Sequence, residues 1–228
     1  MVTPEDLRRA EELHGHLCPF LVIGMRAAEI AMEKLGVEKL GVYESIHEEV
    51  VAIVEVNNCF SDGVQVKTGC TLGNNSLVYV DLGKNAVTLA LRGSSEGVRV
   101  YFDSEKIGEL VPSEARELRR KVLVERTASR EEVERFHELW RKAALSLVDL
   151  PESYFKVSRV RVLKLPERSP IVESVKCRVC GELVMTTKTV ERGGGRLCLY
   201  CAGARVPVLA GRGILLEVEP RELFEVRP

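Results

Sequence analysis

The side chains best suited to chemistry in this 228-residue chain are its seven cysteines, which fall into two sets. Cys177, Cys180, Cys198 and Cys201 make two Cys-x-x-Cys pairs with 17 residues between them. Four thiolates bind a tetrahedral Zn²⁺ at about 2.3 Å, and two residues between ligands let a tight turn present both sulfurs of a pair. MTTKTV and the Gly193-Gly194-Gly195 turn between the pairs suit a hairpin. Four protein ligands leave no open position, so one structural zinc per chain is expected, with an iron–sulfur cluster as the alternative. So short a stretch has too little core to fold without its metal.

The second set is Cys18, Cys59 and Cys70. In HGHLCPF, His14, His16 and Cys18 alternate, and alternate residues of an extended turn face the same way. Pro19 suits the first turn of a helix, which makes Cys18 the N-cap, where the helix dipole lowers a thiol pKa. The plainer reading is a turn between two helices, with a buried cysteine and two surface histidines. The stretch Asn57 to Thr71 adds Cys59, Asp62, Cys70 and the chain's single glutamine, Gln65, to otherwise apolar surroundings, and buried polar groups need partners.

The elements that must position these groups read as follows. Thr3 and Pro4 open a first helix that Gly15 stops. Pro19 to about Leu35 is a longer helix, apolar on most sides and therefore expected to be buried, closed by Gly36. Residues 46–56 read as a strand and 61–67 as a short helix. SLVYVDLG and NAVTLALRG read as a hairpin, followed by GVRVYFD as a third strand. Helices are expected over 113–126 and 129–148, and an alternating strand over 155–165. The elements do not alternate as βαβ units, which predicts α+β with a mostly antiparallel sheet packed on the long buried helix. PERSP marks a linker, giving a core over 1–165, a linker over 166–175 and a zinc finger over 176–228.

Composition narrows the function classes. Hydrophobic residues are 45% and charged residues 29%, as in a packed globule, and a net charge of −1 argues against a general attraction to nucleic acid or membrane. The basic excess of residues 176–212, seven Lys or Arg against two Glu, is small for nucleic-acid reading. No apolar run reaches the ~18 residues of a membrane span, the first residues lack a signal-peptide core, and cytoplasmic cysteines serve metal or redox chemistry more often than disulfides. A cytoplasmic protein is expected, and the near absence of glutamine leans towards a thermophilic source.

HGHLCP before a long apolar helix, and CFSDGVQVKTGCTLGNNSLVYVDLGK after a strand, resemble the FmdE family of formylmethanofuran dehydrogenase components over about residues 10–150. The resemblance implies a compact α+β core that tends to dimerise, in some members with a C-terminal treble-clef zinc finger. It implies association with a molybdenum or tungsten enzyme of one-carbon metabolism. The motif positions are His14, Gly15, His16, Cys18, Pro19, Cys59, Asp62, Gln65, Thr68, Gly69, Cys70 and Thr71. Two departures are Phe20, where glycine is common, and Gly73-Asn74-Asn75, where Gly-Lys-Gly is common, removing a lysine from the expected pocket.

His14, His16, Cys18, Cys59, Asp62, Gln65, Cys70 and Thr71 are thus the candidate catalytic set, and His16, Cys18, Cys59 and Cys70 the candidate ligands of a second metal. The expected function is an FmdE-like metal-binding protein of one-carbon redox metabolism, acting as an enzyme or as part of one. The alternatives are a non-catalytic accessory or metal-handling protein whose zinc finger docks a larger oxidoreductase, and, third, a zinc-finger regulator binding nucleic acid. A homodimer is expected, because the long helix carries more apolar faces than one small sheet covers.

Overall fold

The computed structural model describes residues 1–211 and 213–225. The chain divides into two compact units, Met1–Pro166 and Glu167–Pro228.

In the first unit, α1 (Pro4–His14) opens with a capping box: the Asp6 N–H donates to Thr3 Oγ1, and Asp6 Oδ2 accepts from the Thr3 N–H, both at 3.1 Å. Gly15, at φ +83°, turns the chain out of it. α2 (Pro19–Leu35) starts at Pro19 with Cys18 as N-cap. Next come α3 (Val42–Ile46), β1 (Val50–Val54), α4 (Cys59–Thr68), β2 (Leu77–Tyr79), β3 (Ala86–Leu91) and β4 (Glu96–Phe102). Then α5 (Ile107–Leu110), α6 (Ser113–Arg119), which runs on into a π-type turn over Arg120–Glu125, α7 (Arg130–Ser146) and β5 (Phe155–Arg161) complete the unit.

The sheet order is β2-β1-β3-β4-β5, and every pairing is antiparallel except β1 with β2. The expected hairpin of SLVYVDLG and NAVTLALRG does not form. α4 is instead a crossover that returns the chain to the far edge of β1, so Leu77 and Leu89 flank Ala52 from opposite sides. The strand read over 46–56 is shorter at its start, because Val42–Ile46 coil as α3.

α2 is the centre of this unit. Leu21, Val22, Ile23, Met25, Ala27, Ala28 and Ala31 are fully buried against α4, β3, β4 and α7. Among its apolar residues only Phe20 and Leu35 are half-buried; the rest are buried within this one chain. α2 and α4 run the same way: Cys18 lies beside Cys59, Leu21 and Met25 lie against Gly63, and Glu29 is ion-paired with Lys67. A Cβ on Gly24 would stand 2.0 Å from the Phe60 carbonyl oxygen, and one on Gly63 2.0 Å from that of Leu21. Glycine is required at both, and backbone meets backbone. Lys67 Nζ, 3.2 Å from Asp6 Oδ2 and 2.8 Å from Glu29 Oε1, ties α4 to α1 and α2 with paired rather than isolated buried charge.

The second unit is three two-stranded hairpins: β6 (Ser174–Lys176) with β7 (Leu183–Met185), β8 (Thr189–Arg192) with β9 (Gly195–Cys198), and β10 (Val206–Ala210) with β11 (Gly213–Val218). Among the described residues no α-helix follows Cys201; the chain turns and enters β10. Only Cys177 and Leu197 are buried apolar residues in this unit among those described.

Candidate functional site

Three chain turns meet at one end of the α2–α4 pair. His14 is the last residue of α1, Gly15 redirects the chain, and His16 and Cys18 follow before α2. Cys59 and Asp62 lie in the first turn of α4, behind the Asn58 N-cap, whose side chain accepts from the Phe60 N–H at 2.9 Å. One donor atom from each of His14, His16 and Cys18 lies within 4.8 Å of the other two. The two imidazole rings stand 4.6 Å apart, tilted by 41°.

His14 is held from behind. Its Nδ1 is 2.7 Å from Asp62 Oδ2, and Gln65 Nε2 donates to Asp62 Oδ1 at 3.0 Å. The other ring nitrogen, Nε2, is buried with no nitrogen or oxygen partner, and the Cys59 thiol hydrogen-bonds to this ring. A carboxylate on one nitrogen of a histidine that is grouped with a thiol and a second imidazole is the arrangement that orients a metal-binding histidine. The donor set, two imidazoles and a thiol, suits Zn²⁺ or another borderline divalent ion, and three protein donors leave a position open.

Electrostatics assign the thiols differently from the helix-dipole argument. The acidified thiol is Cys59: it is held down to about 6, first by its hydrogen bond with Cys18 and also by the nearby His14 ring, against the opposing effect of burial. That same hydrogen bond, then burial, pushes the Cys18 thiol up. The N-cap position of Cys18 therefore does not by itself make it the thiolate. His16 is shifted down by burial, by His14 and by His137 on α7, which favours the neutral form that a ligand needs. No local motif marks His137. It lies more than a hundred residues away in sequence and comes near only because α7 packs on α2.

The remaining motif residues are elsewhere. Cys70 is fully buried beyond the other end of α4, roughly 15 Å along the helix from Cys59 by its rise per residue, and its thiol donates to the Val50 carbonyl at 3.6 Å. Burial raises it to about 11. Thr71 and Asn74 build a loop there. Asn74 Oδ1 accepts from the N–H groups of Thr71 and Ser76 at 2.8 and 3.2 Å, and its amide donates to the Gly69 carbonyl at 2.7 Å and to Ser45 Oγ at 3.2 Å. Position 74 thus faces this loop, away from the histidines. Phe20 packs edge-on against Phe102 in the core, with ring centroids 6.3 Å apart.

In the second unit the sulfurs of Cys177, Cys180, Cys198 and Cys201 all lie within 4.8 Å of one another, close to the ~3.8 Å edge of a tetrahedron with 2.3 Å metal–sulfur bonds. The Cys198 N–H donates to Cys177 Sγ and the Cys201 N–H to Cys198 Sγ, each at 3.3 Å. The N–H groups of Cys180 and Cys198 hold the Cys177 thiol down to about 6. A four-thiol cluster with backbone donors aimed at its sulfurs can bind a metal ion.

Residues 13–156 match the family model described as FmdE, molybdenum formylmethanofuran dehydrogenase operon. This chain belongs to the FmdE family. An Archaeoglobus fulgidus protein described as a probable S-adenosyl-L-methionine-binding protein is 50% identical over 218 residues, 95% of this chain, which spans 58% of that protein's length. A crystal structure of a tungsten formylmethanofuran dehydrogenase FmdE-like protein from Syntrophus aciditrophicus superposes with a TM-score of 0.55 at 27% identity, covering 87% of this chain and 91% of that one. The FmdE match ends before the four-cysteine cluster and includes all of the His14–Cys59 site. Among the described residues no helix is long and apolar enough to cross a membrane.

Proposed function

We propose that this FmdE-family chain is a metal-binding protein whose core holds a catalytic-type divalent ion on His14, His16 and Cys18, and whose C-terminal unit holds one structural zinc on Cys177, Cys180, Cys198 and Cys201. The observation that carries the core reading is the convergence of donor atoms of His14, His16 and Cys18 within 4.8 Å of one another, with Asp62 fixing His14 at Nδ1. When bound, such an ion would polarise a carbonyl or acidify a water at its open position. The chain's own part is positional: Asp62 fixes the tautomer and angle of His14, Gln65 fixes Asp62, and Cys59 hydrogen-bonds to the Cys18 sulfur. The family connection supports a one-carbon or redox compound as substrate. The S-adenosylmethionine binding named for the Archaeoglobus relative belongs to a protein that this chain spans in part, and the metal reading is independent of it.

A second reading, an accessory protein that docks a larger oxidoreductase through its zinc unit, is favoured by one observation. Leu183, Met185, Leu209, Leu215 and Leu216 of that unit are all exposed. A homodimer rests on the family resemblance and is tested by light scattering, where a particle of about one chain mass, 25.4 kDa, at micromolar concentration would count against it. The deciding experiment is metal content of the reduced chain by mass spectrometry. Two equivalents are expected, one lost in His14→Gln and Cys18→Ser with the other retained. A single equivalent, lost only with Cys177→Ser, would sink the core reading.

A further inference from the structure

We infer that Cys18 and Cys59 form a reversible disulfide that excludes the core metal, so that this site is loaded only under reducing conditions. The inference rests on the core metal reading and adds its regulation. Several observations lead here. The two thiols are hydrogen-bonded partners although 41 residues apart in sequence. Both are fixed at helix starts, Cys18 as the N-cap of α2 and Cys59 as the first residue of α4. The two helices are clamped by the backbone contacts at Gly24 and Gly63, so the sulfurs cannot drift apart without separating the helices. The two cysteines also differ in access: Cys59 is partly exposed and Cys18 is 2% exposed. Cys18, finally, is grouped with His14 and His16 as a donor, and Cys59, which neighbours both Cys18 and His14, is not a member of that group. One sulfur therefore belongs to both pairings, and it cannot serve both at once.

The chemistry is thiol–disulfide exchange with a low-molecular-weight disulfide as oxidant. The sulfur of the partly exposed Cys59 gives up its proton and attacks one sulfur of the oxidant. The oxidant's S–S bond breaks, a mixed disulfide forms on Cys59, and one small thiolate leaves. The Cys18 sulfur then attacks the Cys59 sulfur, the mixed S–S bond breaks, and the second small thiolate leaves. Both leaving thiolates take up the protons released by Cys18 and Cys59. The two cysteines lose two electrons between them and the small disulfide gains two. An oxidised Cys18 has no lone thiolate to give a metal, leaving His14 and His16 as two neutral donors that hold an ion weakly. Cys70, buried at the far end of α4 on the Val50 carbonyl, takes no part.

The test uses the full chain, reduced and loaded with Zn²⁺, then treated anaerobically with oxidised glutathione. Peptide mapping and released zinc are read together, in wild type and in Cys59→Ser. The expected result is a Cys18–Cys59 cross-linked peptide, release of about one equivalent of zinc more from wild type than from Cys59→Ser, and its rebinding after dithiothreitol. The comparison with Cys59→Ser subtracts any zinc lost from the four-cysteine cluster. A reduced chain that binds two equivalents but yields no Cys18–Cys59 peptide, or yields it while keeping both, overturns the inference and leaves the metal reading standing. A reduced chain that never binds a second equivalent overturns the metal reading, and this inference with it. The mapping is done on wild type, so it decides even where Cys59→Ser folds poorly.

Discussion

Adding one methyl group at Gly63 should damage both the fold and the site, and the size of the effect follows from the packing. The Cβ of Gly63→Ala would stand 2.0 Å from the Leu21 carbonyl oxygen and 2.8 Å from the Met25 nitrogen, where ordinary contact begins at 3.4 Å. Both obstacles are backbone, so no side chain can swing away, and α2 and α4 must part by ~1.4 Å, the difference between those distances. Overpacking typically costs about 1–3 kcal/mol, and with nothing flexible to yield the upper end applies, ~3 kcal/mol or more. For a unit of this size each kcal/mol lowers Tm by roughly 2–4 °C, so a drop of about 6–12 °C is expected. Helices that part by more than ~0.5 Å also spoil a preorganised ligand set, so core metal affinity should fall while the variant is still folded at 25 °C. The assays are thermal unfolding by circular dichroism and metal content on the same preparation. Gly73→Ala is the control, since its Cβ would meet nothing nearer than Thr71 Oγ1 at 4.0 Å, and it should change stability by no more than about 0.5 kcal/mol. If Gly63→Ala melts within about 2 °C of wild type and keeps its core metal, the helix clamp is not what holds Cys18 beside Cys59.

Asp62→Asn keeps the shape but removes the carboxylate from His14 Nδ1, and should weaken core metal binding about 10- to 100-fold in a competition titration with a chelator, while the Tm of the metal-free chain stays near wild type. Cys177→Ser with Cys198→Ser should lose one zinc and the amide dispersion of Glu167–Pro228 in a ¹H–¹⁵N spectrum, leaving the Met1–Pro166 signals in place; unchanged zinc binding would contradict a structural role. His16 has a folded pKa below its ordinary 6.5, so between those values the unfolded chain binds the extra proton, and stability present above pH 6.5 should be lost as pH falls through the lowered value. Core metal should leave over the same window in a pH-stepped dialysis, and retention at pH 4 would show that His16 is not a ligand. Asn74→Ala strips four hydrogen bonds from the loop at the far end of α4 and should cost about 2–3 kcal/mol with metal content untouched.

Local signals are legible in the sequence where one residue decides an outcome. Thr3 and Pro4 start α1, Pro19 starts α2, and Gly15 and Gly36 stop them at positive φ, each as its side chain dictates. The Cys-x-x-Cys pairs carry their own geometry and converge as their spacing requires. What cannot be read is where a chain segment goes after it leaves an element. SLVYVDLG and NAVTLALRG have the alternation of a hairpin, but a strand's apolar pattern does not name its neighbour, and the α4 crossover sends β2 and β3 to opposite sides of β1. His137 is invisible for the same reason, because only the docking of α7 on α2 brings it towards His16.

The position of Cys70 is more instructive, because one motif turns out not to be one site. Cys59 to Thr68 is a single helix that Gly69 closes before the turn through Thr71, so Cys59 and Cys70 stand roughly 15 Å apart. Its first turn gives Cys59 and Asp62 to the histidines, and its last gives Gly69, Cys70 and Thr71 to a loop that Asn74 fastens. The middle, at Gly63, does neither and instead sets how close α4 lies to α2. One short stretch thus performs three separate tasks: chemistry at its start, helix contact at its centre and loop closure at its end. The loss of a lysine at position 74 then bears on the loop and not on the metal-binding end. For the same reason, substitutions at Cys70 or Thr71 should alter stability without altering core metal content, whereas substitution of Asp62 should do the reverse.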